Sequence, residues 1–267
     1  MDVLRRNNVQ VVGSGPATMV FSHGFGCDLN MWRELAPAFS ERYKVVLFDL
    51  VGSGLSDLTA YDRQKYSLLQ GYAEDVLEVI DSTGGGPVLF VGHSVSAMIG
   101  MLADLKSPSH FAAHLMVGPS PAYIDDGDYR GGFSRADIDG MLETLESNYL
   151  GWASTMAPAI MGSPGRPELG VELTNSFCRT DPDIAAQFAR VTFLSDHRQD
   201  LARLKTPTLI LQCSDDIIAP ISVGGYMKAS MPNSKLVVIK NVGHCPHLSA
   251  PSESRLAMNE FLAEHQN

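Results

Sequence analysis

GHSVSAMIG, running from Gly92 to Gly100, decides how the rest of this chain is read. It follows an apolar run, PVLFV (87–91), and opens a helical one, VSAMIGMLADL (95–105). Small residues two before and two after Ser94 let a strand and a helix pack closely across a sharp turn, which lifts the serine side chain above a sheet. Such turns usually carry glycine at the last small position, where this chain has Ser96. One hydroxymethyl is a modest enlargement, so the turn is expected to survive. By itself the stretch is also compatible with a plain strand end, and its meaning rests on what the chain offers it elsewhere.

The 267 residues are 45% apolar and 19% charged, the composition of a globular protein with a substantial core. A formal net charge of −10 argues against nucleic acid or an anionic membrane as partner, and the longest basic run is Arg5-Arg6. The same charge favours neutral ligands. MDVLRRNNVQ lacks the apolar core of a signal peptide, and no apolar run approaches a membrane span, so a cytoplasmic protein is expected. Cys27, Cys178, Cys213 and Cys245 are scattered, with no C-x-x-C pair, and read as reduced thiols.

Strand-like and helix-like segments alternate. VQVV (9–12) and TMVFS (18–22), joined across Gly13-Ser-Gly-Pro16, read as an N-terminal hairpin. VVLFDL (45–50), PVLFVG (87–92), HLMVG (114–118), TLILQCSD (208–215) and KLVVIKNVG (235–243) read as buried parallel strands. Leu69, Tyr72, Val76 and Ile80 recur at helical spacing, and SESRLAMNEFLAEH (252–265) is a second helix. The fold class is therefore α/β, a mostly parallel sheet with helices on both faces. From 122 to 200 no convincing strand appears, while Ser134-Arg-Ala-Asp137 resembles a capping box and Pro182 suits a first helical turn. This stretch, rich in Met and aromatics, is expected to form a helical cap (122–200) inserted into a core made of 1–121 and 201–267.

A serine hydroxyl needs a base, an orienting acid and an anion site before it attacks anything at neutral pH. Ser214-Asp-Asp216 follows one predicted strand and Gly243-His-Cys-Pro-His247 follows the next, in the chain order Ser, Asp, His. Both lie beyond strand C-termini, where α/β sheets place their ligands. Ser94, Asp216 and His244 are the expected triad. Asp215 neighbours Asp216 and His247 could compete with His244; the residues alone do not choose between the aspartates, while Gly243 frees the backbone beside His244. The backbone N–H groups of Val95 and Phe25, the latter in Ser22-His-Gly-Phe-Gly26, are candidates for the anion site. A metal reading of His244, Cys245 and His247 is weak, since no further ligands stand at suitable spacing. No cofactor is expected. His93 and Cys27 are read as structural.

FSHGFGCDLNMW (21–32), FDLVGSGLSD (48–57), VGHSVSAMIG (91–100), GPSPAYIDD (118–126), GGF (131–133), NYLGWA (148–153), SDHRQDL (195–201), LILQCSDDIIAP (209–220) and GHCPH (243–247) together resemble one group of α/β hydrolases. It is the RsbQ-like subfamily of bacterial stress regulators, related to the plant karrikin and strigolactone receptors. The resemblance covers nearly the whole chain. It implies Ser94 as nucleophile, Asp216 as acid, His244 as base and the Phe25 and Val95 amides as oxyanion donors. It also implies an apolar pocket lined by Phe133, Trp152, Met156 and Phe193, with Ser120 and Tyr123 close by. A bacterial member of the group acts with a PAS-domain phosphatase to switch on a stress sigma factor, and the plant relatives bind or cleave butenolides. The expected function is hydrolysis of a small, neutral, hydrophobic ester or lactone in stress signalling, with a PAS-domain phosphatase-type partner. The alternative is a ligand receptor without turnover whose cap recruits a partner.

Overall fold

The computed structural model describes residues 2–265. Within them seven strands form one sheet: β1 (Gln10–Val12), β2 (Ala17–Ser22), β3 (Tyr43–Phe48), β4 (Val88–His93), β5 (Phe111–Val117), β6 (Thr208–Asp215) and β7 (Ser234–Val242). Their spatial order is β1-β3-β2-β4-β5-β6-β7. All neighbours are parallel except β1 and β3.

Among the described residues ten α-helices accompany the sheet: α1 (Val3–Arg6), α2 (Leu69–Ser82), α3 (Val95–Lys106), α4 (Arg135–Ser147), α5 (Tyr149–Met161), α6 (Pro167–Arg179), α7 (Pro182–Phe193), α8 (Ile221–Ser230), α9 (Pro246–Ser249) and α10 (Pro251–Glu264). The near-continuous apolar strands are explained by two covered faces. Alternate residues of β2 go to opposite cores: Val20 joins one with α2 and α3, while Met19 and Phe21 join another with Trp32, Met258 and Phe261.

Two expectations are corrected. The N-terminal segments do not form a hairpin. β2 lies inside the sheet, bonded to β3 (Ala17 opposite Tyr43) and to β4 (Met19 opposite Leu89). It has no free edge, so β1 pairs antiparallel with β3, Gln10 opposite Leu47. The connection passes against Ser40–Tyr43 so closely that a Cβ on Gly13 or Gly15 would collide with that backbone. Nor is β7 buried throughout. It is the sheet's other edge, and Ile239 is the one buried residue of the strand.

Between β5 and β6 come α4–α7, with no strand longer than an isolated bridge. Ser134 and Asp137 form a reciprocal capping box that starts α4, and Asp181 caps α7 ahead of Pro182. Ala122 bridges to Asp196, which brings the two ends of this helical segment together.

Candidate active site

Strand β4 ends at His93, and the chain turns at Ser94 with φ 56° and ψ −123° before α3 begins. A non-glycine residue in that region is strained, by about 1–3 kcal/mol, and survives because its surroundings fix it. The Ser94 N–H donates to the Val117 carbonyl at 2.8 Å. A Cβ on Gly92 would sit 2.7 Å from the Ser96 carbonyl oxygen, which is why this position is glycine. Ser96, by contrast, is fully buried and uses its hydroxyl: it donates to the His23 carbonyl and accepts from Ser22 Oγ at 2.9 Å. The departure from glycine thus ties the first turn of α3 to the loop leaving β2. Ser96→Ala leaves the Ser22 hydroxyl and the His23 carbonyl short of a partner. Chemical denaturation should show it about 1–3 kcal/mol less stable, and an unchanged midpoint would deny the tie any weight.

His244 follows Gly243, whose φ of 107° and closeness to the Met161 carbonyl exclude a side chain. Its backbone is held on both sides: the His244 N–H donates to the Ile160 carbonyl at 2.8 Å, and His93 Nε2 donates to the His244 carbonyl at 2.9 Å. The ring bridges two partners. Nδ1 lies 2.7 Å from Asp216 Oδ2 and Nε2 lies 2.8 Å from Ser94 Oγ. A carboxylate can only accept from Nδ1–H, so Nε2 carries the lone pair that faces the serine hydroxyl. The other carboxylate oxygen of Asp216 accepts from the Ile218 and Ala219 amides at 2.8 and 3.1 Å. Burial alone would raise the Asp216 pKa. The imidazole and the two amides outweigh it, and the carboxyl lies below its ordinary value.

The two ambiguities separate in space. Asp215 is exposed and receives the Ser214 hydroxyl at 2.9 Å, while its carbonyl accepts from Gly243 N–H at 2.7 Å. His247 is fully buried against Trp32 and His93, with ring centroids 4.6 and 4.4 Å away, and does not contact Ser94 through a hydrogen bond.

Opposite the serine runs the loop after β2. A Cβ on Gly24 would lie 3.3 Å from Ser94 Cβ and 2.6 Å from His93 Nδ1, so only glycine lets this loop approach. His23 fixes its shape, with Nδ1 donating to the Gly24 carbonyl at 2.8 Å and Nε2 accepting from the Leu50 N–H at 3.0 Å. Phe25 follows directly, and Val95 opens α3 where helical amides have no intrahelical acceptor.

Above Ser94 is a narrow chamber walled by Phe25, Tyr123, Ile160, Leu173, Phe177, Thr192, Phe193 and Ile218, together with Cys27, His93 and Cys245. Its free volume is ≈ 30 Å³, room for about two waters. A wider open groove of ≈ 460 Å³, between Ser67–Gln70 and Arg190–His197, contains none of the Ser94 cluster.

Of the pocket residues expected from sequence, Phe193 and Tyr123 line the chamber and four others do not. Trp152 stands behind the wall, stacked on Phe177 at 5.5 Å and 8°. Met156, on the same helix, is half-buried and packs against the main apolar core. Phe133 is held by backbone bonds to Tyr123 and Asp125 ahead of α4, and the Ser120 hydroxyl is spent on the Ala122 carbonyl at 2.7 Å. Sequence reasoning missed Phe177, Leu173, Ile160 and Thr192 as wall residues. A signal existed for two of them, since Leu169, Leu173 and Phe177 repeat every four residues along α6.

A parallel sheet that holds a strained serine, a histidine and an aspartate in hydrogen-bonded sequence beyond its strand ends has the architecture of an α/β hydrolase. The chain belongs to the alpha/beta hydrolase family, whose model matches residues 19–254. It is 37% identical over 246 residues to a karrikin insensitive 2 receptor of Petunia hybrida, covering 92% of this chain and 91% of that protein. Strigolactone esterase D14 of Arabidopsis thaliana is 36% identical over 253 residues, 94% of each chain. A solved hydrolase from Oleispira antarctica superposes with a TM-score of 0.94 at 41% identity, covering 98% of this chain and 96% of that one. No described helix is long and apolar enough to cross a membrane.

Proposed function

We propose that the protein hydrolyses a small, neutral carboxylic ester or lactone, with Ser94 as nucleophile, His244 as general base and acid, and Asp216 as the orienting acid. The hydrogen-bonded chain Asp216–His244–Ser94 carries this reading, because it leaves the Nε2 lone pair on the serine hydroxyl. Ser94 Oγ attacks the carbonyl carbon as its proton moves to Nε2. The oxyanion is assigned to the Phe25 and Val95 amides. The imidazolium, stabilised by Asp216, then protonates the leaving oxygen. Water, deprotonated at the same Nε2, cleaves the acyl-enzyme and regenerates the hydroxyl. Segment 122–200 acts as the cap that keeps bulk water from this chemistry.

The chamber restricts the substrate. Its apolar walls suit a neutral ligand, and two buried hydroxyls, that of Thr192 without a partner and that of Tyr123 facing Ser94, offer a polar group on that ligand something to bind. In an aryl ester series, kcat/KM for the acetate should exceed that for the octanoate at least about tenfold, since forcing six further methylenes into so small a space strains the packed wall by about 1–3 kcal/mol. Equal turnover across the series would contradict the chamber as the acyl site.

The tightness of the chamber also favours a second reading, in which a ligand enters only by displacing the cap and a partner senses the movement. The likeness to receptors supports it, as does the sequence resemblance to bacterial stress regulators. On this reading the protein works in cytoplasmic stress signalling with a PAS-domain phosphatase-type partner upstream of a sigma factor. Binding of a butenolide without release of product from any ester would select it over the hydrolase.

A further inference from the structure

Behind the Ser94 cluster lie three groups that the proposed hydrolysis does not use. His93, Cys245 and His247 each offer one ligand atom, and these atoms fall within 4.8 Å of one another. All three residues are buried, His247 completely. His93 spends Nε2–H on the His244 carbonyl, which leaves a lone pair on Nδ1, and Nδ1 has no partner. Neither nitrogen of His247 has one either. Ring packing against Trp32 would be met equally well by phenylalanine, so it does not account for a histidine there. Gly24 packs against His93 Nδ1 and brings no side chain to it: a Cβ there would stand 2.6 Å from that nitrogen.

From these observations we propose that His93 Nδ1, Cys245 Sγ and a ring nitrogen of His247 form a binding site for a soft or borderline transition-metal ion such as Zn²⁺, and that occupancy inhibits the enzyme. Two imidazoles and a thiolate are a suitable donor set for that class of ion. Both imidazoles are held neutral, the ligating form: burial, followed by the neighbouring histidines, lowers His93 to about 3 and His247 well below its ordinary value. Cys245 is held as the thiol by burial, so binding transfers its proton to solvent and the ion takes the thiolate. His93 and Cys245 both border the chamber, which supplies an entry path and room for a fourth ligand.

The inhibition follows from attachment and rests on the hydrolase reading. A tetrahedral ion needs its ligand atoms about 3.3–3.6 Å apart, so any of them as far apart as 4.8 Å must draw together. Cys245 is the next residue after His244, and His93 holds the His244 carbonyl. Drawing them inward shifts the ring that must stay 2.8 Å from Ser94 Oγ, and a displacement of about 1 Å costs on the order of 100-fold in rate.

The test uses metal-free, reduced protein carrying Cys178→Ser, which removes the exposed thiol. Co²⁺ reports coordination spectroscopically, and Zn²⁺ competition and ester hydrolysis are read separately. One equivalent of Co²⁺ with a thiolate-to-metal band, displaced by Zn²⁺, is expected. Zn²⁺ should lower hydrolysis at least about tenfold, and Cys245→Ser or His247→Gln should each weaken Zn²⁺ binding at least about 10–100-fold. Metal sensitivity is scored within each variant, as the ratio of rates with and without Zn²⁺. Absence of a thiolate band in the Cys178→Ser protein would overturn the site without any further variant. Inhibition with the same midpoint in both variants would also overturn it, since the ion would then sit on His244. Binding without inhibition would overturn the inhibitory role. Because coordination is read without substrate, its failure is distinguishable from failure of the hydrolase reading.

Discussion

Ser94→Ala should lower hydrolysis of an aryl acetate by about 10⁴–10⁶-fold while leaving the protein folded. Removing the nucleophile from such a cluster costs nearly as much as removing all of it, because base and acid have nothing left to activate. A residual rate above the uncatalysed one should remain from the Phe25 and Val95 amides and from the chamber itself. The wild type should accumulate an acyl adduct, seen by intact-protein mass spectrometry as an added acetyl group that the variant lacks. Ser94 Oγ is hydrogen-bonded to His244 Nε2 and faces the Tyr123 hydroxyl, so its loss leaves neutral polar groups at the chamber wall and no buried charge. The thermal midpoint should therefore move by a few degrees at most. A rate within tenfold of wild type would remove Ser94 from the chemistry and, with it, the hydrolase reading.

The same variant separates the two functional readings. Its chamber keeps the Tyr123 and Thr192 hydroxyls and every aromatic wall, so ligand binding should persist after turnover has gone. A response that needs only cap displacement would survive the substitution. One that needs the acyl adduct would not.

How much of this was legible in the sequence depended on the range of the interactions involved. β4, β5 and β6 read as strands because both faces of each are buried and the apolar signal is local. The helical segment between β5 and β6 could be read for a similar reason: Ser134–Asp137 and Asp181–Pro182 mark helix starts by contacts within one turn. The partner of β1 could not, because Gln10 meets Leu47 across a gap in the chain that no turn signal reports. β7 was misjudged because an edge strand and an interior one can share the same β-branched run, and position in the sheet decides exposure.

The site divides in the same way. Order and flanking glycines brought Ser94, His244 and the 215–216 pair into view. The chamber wall was less legible, because α5 and α6 pack face to face and their crossing decides whether Trp152 or Phe177 reaches the space above Ser94. Ser96 shows the limit most clearly. Its hydroxyl looked like a tolerated enlargement, and its bonds to Ser22 and His23 depend on a loop about seventy residues away in sequence.

Asp216→Asn should reduce kcat by about 10⁴-fold, whereas Asp215→Asn should change it by less than about threefold. Adjacent carboxylates of the same type make this a sharp comparison. Asp216 Oδ2 takes the Nδ1 proton of His244 at 2.7 Å, and Oδ1 is clamped by the Ile218 and Ala219 amides. An asparagine held by those amides keeps its carbonyl on them and presents its NH₂ to His244. The imidazole must then accept at Nδ1 and carry its proton on Nε2, where it faces Ser94 and cannot receive the serine's proton. The charge that stabilises the imidazolium is lost as well. Asp215 has only the Ser214 hydroxyl on its exposed carboxylate, and the backbone carbonyl that anchors Gly243 is unaffected by a change of side chain. The depressed pKa of Asp216 adds a signature. Its stabilisation is complete above the unfolded carboxyl value, near 3.9, and is lost as pH falls through the lower folded value. Between pH 7 and pH 3 the wild type should therefore lose more stability than Asp216→Asn does. Steady-state kinetics on both variants at pH 7, with thermal unfolding across that range, checks the whole assignment. If Asp215→Asn were the crippled enzyme, the acid of the cluster would have to be reassigned to the exposed carboxylate.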